Sequence, residues 1–338
     1  MDVDDPTAAL AWLLASDEPA VRHLARRDLL GEGEAAAADA ARVLEGPKVA
    51  ALLAGQQPDG GFGVRPYSKW TGAHWRLVSL VELAAPAGEP RLLAAASTVL
   101  DWLTGDAHRR TVKVVDGLTR RCASQEGNAL AVACRLGMAG DPRAELLARW
   151  LAGWQWPDGG WNCDPRASGR RSSFHESLPP AWGLHEYWLA TGATWAREAA
   201  TRTAELLLSH RLFRSLSDGE VIDRRWLRPR YPPYWHYDVL QALLVLSRLG
   251  LARDPRAADA LDLVARRRRA DGRWWPSGYW WRPPGSRSGS GPVEVVDWGR
   301  SGPSEMLTLN ALRVLRAGGV TPGGGRARPG SGPRGSTG

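Results

Sequence analysis

The apolar residues of this chain recur with the three- to four-residue spacing of amphipathic helices. Three segments carry this spacing after polar loops: "AHWRLVSLVELA" from Ala73, "FHESLPPAWGLHEYWLA" from Phe174 and "SEMLTLNALRVLRA" from Ser304. Strict alternation of apolar and polar residues, which marks half-buried strands, is almost absent. The pattern therefore predicts an all-α chain.

The predicted helices come in pairs, and a glycine-containing turn follows the first helix of several pairs. Three such turns are "QQPDGGFG" at 56–63, "WQWPDGGWN" at 154–162 and "RRADGRWWP" at 268–276. Two further pairs lack the turn, and the opening segment supplies two more short helices, which gives about twelve helices in about six hairpins. Repeated pairs predict an α/α toroid (α6/α6 barrel-like), in which outer helices surround a ring of inner helices.

The turns have a structural interpretation. Gly159 and Gly160 let the chain turn where a side chain would clash, and a tryptophan indole N–H satisfies a carbonyl while its ring packs. We therefore expect the glutamine and tryptophan side chains of the turns to tie neighbouring elements together. The aspartates of the turns are then structural rather than catalytic; they are Asp59, Asp158 and Asp271.

The same turns carry a resemblance to a known family. "DGGF" and "DGGW" after a helix, with Gln56 and Gln155 upstream, resemble the Q-W type repeats of squalene and oxidosqualene cyclases and the related repeats of protein prenyltransferase β subunits. The chain is also similar to bacterial proteins labelled squalene-cyclase-like. The resemblance covers roughly residues 7–317. It implies one toroid domain over 1–317, with an isoprenoid or similar apolar substrate in a central, aromatic-lined cavity.

Tryptophan usage agrees with an apolar ligand. Eighteen tryptophans against three phenylalanines make the aromatic surface mostly indole, which suits isoprenoid chains or carbocations and also sugar rings. Five of the tryptophans lie in the long segment 271–305. Because long loops are often lids or binding loops, we expect this Trp-rich segment to fold over the mouth of the cavity.

The distribution of charge and the length of the apolar runs indicate which partners, nucleic acid or membrane, the chain can have. The formal charge of +8 is spread along the chain, with three arginines in the Gly/Pro/Arg tail 318–338, which is expected to be disordered. The arginines follow no single face, so no nucleic-acid partner is expected. No apolar run approaches the roughly 20 residues that cross a bilayer, and "MDVDDPTAAL" lacks the features of a signal peptide. The chain is therefore expected to be cytoplasmic and not membrane-spanning.

Candidate chemistry lies where the inner helices begin, because these positions converge on the mouth of a toroid's cavity. The predicted catalytic residues are His175, Glu176, His236 and Asp238. The predicted substrate-binding residues are Trp70, His74, Trp75, Glu126, Asn128, Trp235, Tyr237, Trp298 and Glu305. The alternative for the acids is helix capping without function. Histidine caps poorly, because a protonated imidazole opposes the positive end of the helix dipole.

The resemblance further implies a zinc site. Prenyltransferase β subunits bind zinc through an Asp, a Cys and a His at inner-helix starts, and "YWHYDVLQAL" looks like the segment that carries their histidine. Where the family has its Asp and Cys, this chain has "SSFHES", with a cysteine in the preceding loop. Zinc accepts thiolate, imidazole and carboxylate, so the predicted ligands are Cys163, His175, His236 and Asp238. The alternative is buried histidines that are satisfied by hydrogen bonds.

One cyclase motif is out of position. Cyclases that protonate an isoprene double bond use an Asp-x-Asp-Asp motif at an inner-helix start, whereas "DVDD" at 2–5 precedes the first outer helix, and the sequence has no second copy. Solvated carboxylates keep ordinary pKa values and do not protonate an alkene.

The expected function is a cyclase- or prenyltransferase-like enzyme without the usual acid motif. The alternative is a non-catalytic toroid that serves as a binding protein or scaffold for a lipid, glycan or peptide.

Overall fold

The computed structural model describes residues 6–320 of the chain. The "DVDD" motif at 2–5 lies outside these residues, as does the predicted tail from residue 321 onward. Within 6–320 the chain is mostly α-helical, which confirms the all-α prediction. A short antiparallel pair of strands, β1 (Lys113–Val115) and β2 (Leu118–Arg120), was not predicted.

Fourteen α-helices form in residues 6–320, and none of them is long and apolar enough to cross a membrane. Their bounds are α1 (Pro6–Leu14), α2 (Pro19–Ala25), α3 (Gly33–Ala40), α4 (Pro47–Leu53), α5 (Ala73–Glu82), α6 (Pro90–Thr104), α7 (Asp106–Arg109), α8 (Ser124–Arg135), α9 (Pro142–Trp154), α10 (Phe174–Thr191), α11 (Thr194–Ser209), α12 (Val239–Arg248), α13 (Ala258–Arg266) and α14 (Glu305–Ala317). One π-helical turn (Arg26–Leu30) and three 3-10 turns (Val43–Glu45, Arg224–Leu227 and Pro255–Ala257) complete the helical elements of the described residues.

Several helices begin where the sequence signals a start. Proline occupies the first position of α6 and α9, where its missing N–H costs no helical hydrogen bond. The Asp141 carboxylate caps α9 by accepting from the Arg143 N–H at 2.8 Å. Ser304 caps α14 in the same way, because its hydroxyl accepts from the Leu307 N–H at 3.3 Å. Capping therefore accounts for Ser304 without a functional role.

Five helices, α5, α8, α10, α12 and α14, are buried on most sides and form what we call the inner set. Each member packs against the next in this order, and α14 also packs against α2. Other helices cover the inner set: α6 packs on α5 and α8, α9 on α8 and α10, α11 on α10, and α13 on α12 and α14. The hydrophobic core lies between these two groups of helices.

Glutamine and tryptophan side chains fasten the turns, as expected from the sequence. The Gln155 amide donates to the Gly159 carbonyl at 2.9 Å and to the Ala199 carbonyl of α11 at 2.8 Å. Gln56 makes the equivalent bonds to Gly60 and Arg91. The Trp161 indole donates to the carbonyl of Leu151 at 3.0 Å. These bonds confirm that the turns tie helices together.

Two glycines bring α8 and α10 into backbone contact. A Cβ on Gly127 would lie 2.3 Å from the backbone nitrogen of Pro180, and one on Gly183 would lie 2.4 Å from the Gly127 carbonyl oxygen. Since real Cβ atoms do not approach backbone atoms this closely, both positions require glycine. The close approach places the start of α8 beside the start of α10.

The Trp-rich segment 271–305 docks on the segment 231–237, which lies between the start of α12 and the preceding 3-10 turn. The Trp281 indole donates to the Tyr231 carbonyl at 3.0 Å. The Trp70 indole donates to the Trp280 carbonyl at 2.8 Å. The Tyr234 hydroxyl donates to Glu294. The bonds to Tyr231 and Tyr234 hold segment 271–305 against the loop that carries three of the predicted site residues, and the Trp70 bond ties it to the residues before α5.

Candidate functional site

Two thiols and one carboxylate meet at the starts of α8 and α10. The Sγ atoms of Cys122 and Cys163 and a carboxylate oxygen of Glu176 all lie within 4.8 Å of one another. Cys163 Sγ lies 3.9 Å from Glu176 Oε1. Glu176 is buried, whereas both cysteines are partly exposed. We call these three residues the thiol–carboxylate cluster.

Local hydrogen bonds explain why these residues meet although they are far apart in the sequence. The backbone N–H of Arg121 donates to the Asn162 carbonyl at 3.0 Å, which joins the residues that precede the two cysteines. The Trp161 N–H donates to the Ser177 hydroxyl at 3.0 Å, which fastens the Cys163 loop to α10. The cluster is therefore held by the packing of α8 and α10.

The charges of the cluster are strongly perturbed. Burial raises the pKa of Glu176, and a hydrogen bond from the Ser124 N–H partly opposes this rise. The interaction between the two neighbouring thiols lowers the pKa of Cys163 and raises the pKa of Cys122. Ionising all three groups would place three negative charges in this half-buried position, so a bound cation would favour their ionised forms.

The cluster fits zinc. Zinc accepts thiolate and carboxylate ligands at about 2.1 to 2.3 Å, so ligand atoms around a tetrahedral ion lie roughly 3.6 to 3.8 Å apart. The separation of 3.9 Å between Cys163 Sγ and Glu176 Oε1 is close to this spacing. Three protein ligands would leave a fourth position open, and the partly exposed thiols put the cluster within reach of solvent.

The predicted zinc ligands are divided between two places. Among residues 6–320, the group of three metal-ligating side chains within reach of a common ion contains Cys163, but not His175, His236 or Asp238. Its other two members are Cys122, which was not predicted as a ligand, and Glu176, which was predicted as catalytic. His175 directly precedes Glu176 on α10, and successive residues of a helix point about 100° apart.

His175 lies between a central cavity and an outer groove, and its side chain lines both. The Tyr237 N–H donates to His175 Nδ1 at 2.7 Å, so the neutral ring carries its proton on Nε2. Burial lowers the pKa of His175. The side chain is therefore a neutral hydrogen-bond donor through Nε2.

His236 lies in an aromatic stack. Its ring packs against Trp235 at 3.9 Å and against Trp280 at 3.7 Å between centroids, and the rings of His236 and His175 are 6.4 Å apart. Burial lowers the pKa of His236 to about 3, so the ring is neutral at neutral pH. The stack joins the segment 231–237 to the Trp-rich segment 271–305.

Asp238 caps α12. Its carboxylate accepts from the Gln241 N–H at 2.9 Å, and the side chain is buried. Burial raises the pKa of Asp238 to about 7, against smaller opposite effects from backbone hydrogen bonds and from Arg230. Capping thus accounts for the position of Asp238.

The central cavity lies between the inner set and the segment 231–237 and has a volume of about 70 Å³. This is room for a few water molecules and is far below the roughly 300 to 1,000 Å³ of typical ligand pockets. Among the predicted residues, Asn128, His175, Trp235, His236 and Tyr237 line it.

Two amides in the cavity wall lack partners. The side-chain nitrogens of Asn128, on α8, and Gln241, on α12, are buried, and neither has a hydrogen-bond acceptor in the described part of the chain. A buried donor without an acceptor costs about 1 to 3 kcal/mol. The wall is otherwise mostly apolar, so the cavity suits a molecule or water that offers acceptor oxygens to these two donors.

The other aromatic residues predicted to bind substrate do not line the central cavity and pack against aromatic neighbours. Trp70 stacks on Tyr234 at 3.6 Å, and Trp75 meets Trp70 edge to face. His74 is buried, and burial lowers its pKa to about 3. Trp298 packs edge to face on Tyr231. These contacts support a packing role.

The two remaining predicted acids form ion pairs. Glu126 is fully buried and accepts from Arg121 Nε at 2.6 Å. Glu305 accepts from Lys48 Nζ at 3.1 Å, which links α14 to α4. Neither acid lines the central cavity.

An open groove of about 960 Å³ runs beside the start of α10. Its volume reaches the upper end of the range of ligand pockets. Leu216 and Ile222 are 67% and 43% exposed, and both line it. The apolar lining residues are Phe174, Leu206, Leu216, Val221, Ile222 and Trp226. The groove was not predicted from the sequence, because it depends on how the loop 213–222 folds back on α11.

No protein-family model, curated protein or solved structure matches this chain.

Proposed function

We propose that the helices close into an α/α toroid. The packing order α5, α8, α10, α12, α14 and α2 supports a ring. The 3-10 turn Val43–Glu45 packs on α2 and on α4, and α4 packs on α5. The chain of contacts that begins at α5 therefore returns to α5. In this ring the thiol–carboxylate cluster lies at the starts of two adjacent inner helices.

We propose further that the chain is a zinc-dependent enzyme of the squalene-cyclase- and prenyltransferase-like kind, with its centre at Cys122, Cys163 and Glu176. The observation that carries this proposal is the cluster itself, three ligand atoms within 4.8 Å with partly exposed thiols. When bound there, zinc would supply a Lewis acid with one open position for a water or a substrate atom.

Residues around the cluster have roles that follow from their contacts. The Ser124 N–H fixes one oxygen of Glu176 at 3.0 Å and leaves the other near Cys163. Burial and the negative charge of Glu176 raise the pKa of the Tyr67 hydroxyl. Tyr67 therefore stays protonated and is positioned to donate a hydrogen bond near the centre.

The proposed substrate is an isoprenoid or a similar apolar molecule. The central cavity, about 70 Å³, is too small for such a chain unless the segment 231–237 moves. The groove of about 960 Å³ has the required size, and apolar side chains form part of a wall that also carries charged and polar residues. It includes Phe174 and His175, the two residues before Glu176. We therefore assign the apolar chain to the groove, with His175 Nε2 as a donor to a polar group of the substrate.

A second candidate is the non-catalytic binding ring. The unpartnered amides of Asn128 and Gln241 favour it, because they suit an acceptor-bearing molecule enclosed in the central cavity. Such a protein would need no metal at the thiol–carboxylate cluster. The two functions are therefore separated by metal content.

The test is elemental analysis of tag-free protein, supplied with zinc and then dialysed. We expect one zinc per chain in the wild type, and its loss in Cys122→Ser and Cys163→Ser. Cys134→Ser is the matched control, because Cys134 lies near the end of α8 and outside the cluster. His236→Ala separates the cluster from the ligand set predicted from the sequence, and we expect it to keep its zinc. A wild type that binds no zinc would refute the metal-dependent proposal and leave the binding ring.

A further inference from the structure

The two cysteines of the cluster are held side by side by the backbone of the loops that carry them. The bond from the Arg121 N–H to the Asn162 carbonyl joins the backbones one residue before each cysteine. Both thiols are partly exposed, so a small oxidant in solution has access to them. The two Sγ atoms lie within 4.8 Å of each other, so a modest side-chain rotation brings them together.

We propose that Cys122 and Cys163 are a redox-active pair that a peroxide converts into an intrachain disulfide. One thiolate attacks a peroxide oxygen and becomes a sulfenic acid, and the oxygen–oxygen bond breaks with release of one water. The second thiolate then attacks the sulfenic sulfur, and the disulfide forms as a second water leaves. In total, two thiols and one hydrogen peroxide give one disulfide and two waters, and two electrons pass from sulfur to oxygen.

The disulfide and a bound metal exclude each other. A disulfide sulfur is no longer a thiolate and does not bind zinc as one, so oxidation would leave Glu176 as the single intact ligand of the three. This consequence rests on the proposed zinc site. The disulfide itself does not, because it needs only the two thiols, whose Sγ atoms lie within 4.8 Å of each other.

The third cysteine provides an internal comparison. Cys134 is partly buried in α8, and burial raises the pKa of its thiol to about 12. The pKa of Cys122 is raised as well, so what separates Cys134 from the pair is its position in the structure. Cys134 is also outside the cluster, so it has no resolving thiol there.

The test uses full-length protein freed of metal with a chelator and checked for native helix content by circular dichroism. After addition of hydrogen peroxide, free thiols are alkylated and the intact mass is measured. We expect the wild type and Cys134→Ser to lose about 2 Da and two alkylation sites, and dithiothreitol to restore both. Cys122→Ser and Cys163→Ser should instead gain oxygen or remain unchanged. Peptide mapping must then find Cys122 joined to Cys163.

The proposal is overturned if the oxidised wild type keeps all three alkylation sites, gains oxygen without the loss of about 2 Da, or forms a disulfide that includes Cys134. A parallel sample loaded with zinc is treated with peroxide in the presence of a colorimetric zinc chelator, where release should accompany disulfide formation. A protein that forms the disulfide but never binds zinc would refute the metal proposal alone. A protein that binds zinc but forms no disulfide would refute the redox pair alone.

Discussion

Glu176 of α10 accepts a hydrogen bond from the backbone N–H of Ser124, the first residue of α8, at 3.0 Å. One helix thus caps its neighbour, and the same carboxylate lies beside Cys163. The side chain has two roles that differ in what they require. Capping requires an acceptor oxygen, whereas zinc binding requires negative charge.

Glu176→Gln should separate these roles. The amide keeps an acceptor for Ser124 but loses the charge, so we expect zinc affinity to fall about tenfold or more, with a change of at most about 1 kcal/mol in the free energy of unfolding. Glu176→Ala leaves the buried Ser124 N–H without an acceptor and should cost about 1 to 3 kcal/mol. Chelator competition and urea unfolding measure the two quantities.

Asp164→Asn is the control for Glu176. Asp164 directly follows Cys163, but its carboxylate pairs with Arg166 at 2.7 Å and is not part of the cluster. We expect its zinc affinity to match that of the wild type. An equal loss of zinc affinity in Asp164→Asn and Glu176→Gln would show a general effect of acidic charge and would contradict a ligand role for Glu176.

Gly127→Ala should destabilise the protein by about 1 to 3 kcal/mol, because the added Cβ would lie 2.3 Å from the Pro180 nitrogen and force α8 and α10 apart. The same displacement should weaken zinc binding. Gly153→Ala in α9 is the matched control, because a Cβ there meets nothing within 4 Å. We expect the control to be stabilised by up to about 1 kcal/mol. Urea unfolding curves decide the point, and a Gly127→Ala protein as stable as the wild type would contradict the close approach.

The contrast between the predicted and observed clusters has a physical cause. Local spacing predicted the starts of α5 and α10 at Ala73 and Phe174, and both agree with the structure. The pairing of Cys122 with Cys163 depends on the contact between Gly127 and Pro180 and on a loop bond between Arg121 and Asn162. These are contacts between distant residues, and periodicity carries no information about them.

The position of a residue within the helical repeat did not predict the direction in which its side chain points. His175 and Glu176 are adjacent at the same helix start, yet one faces the cavity and the groove while the other faces α8. Asp238 occupies an equivalent start and is used as a cap. The strands β1 and β2 escaped prediction because three residues each are too few to show an alternation.

Asp238 should make stability depend on pH. Its pKa is raised to about 7 in the folded protein, compared with about 3.9 in an unfolded chain. Between these values the folded state binds more protons than the unfolded state, so this group's contribution to the free energy of unfolding falls as pH rises from about 4 to about 7. About three pKa units at roughly 1.4 kcal/mol each make the total on the order of 4 kcal/mol.

Asp238→Asn isolates this contribution. Asparagine keeps the capping oxygen for the Gln241 N–H but does not titrate. The lowered pKa values of His74 and His236 act in the opposite direction and are common to both proteins, so they cancel in the comparison. We expect the free energy of unfolding of the wild type, relative to that of Asp238→Asn, to fall from pH 4 to pH 7.

Asp141→Asn is the control. Because Arg143 lowers the pKa of Asp141, the difference in the free energy of unfolding between the wild type and Asp141→Asn should stay constant in this pH window. A flat difference for Asp238 would contradict its buried titration.

Leu216→Asp should weaken binding of an isoprenoid alcohol to the groove. Leu216 is 67% exposed and lines the groove, so a bound apolar chain would cover it and a carboxylate there would have to lose water. A leucine side chain contributes about 1.5 to 3 kcal/mol when buried, which corresponds to about tenfold or more in affinity. Calorimetric titration with farnesol measures the effect.

Leu189→Asp is the matched control, because Leu189 is 60% exposed near the end of α10 and outside the groove. Farnesol binding that is equal in both variants and the wild type would exclude the groove as the site of the apolar chain. Loss in Leu216→Asp alone would assign the chain to the wall that also contains His175.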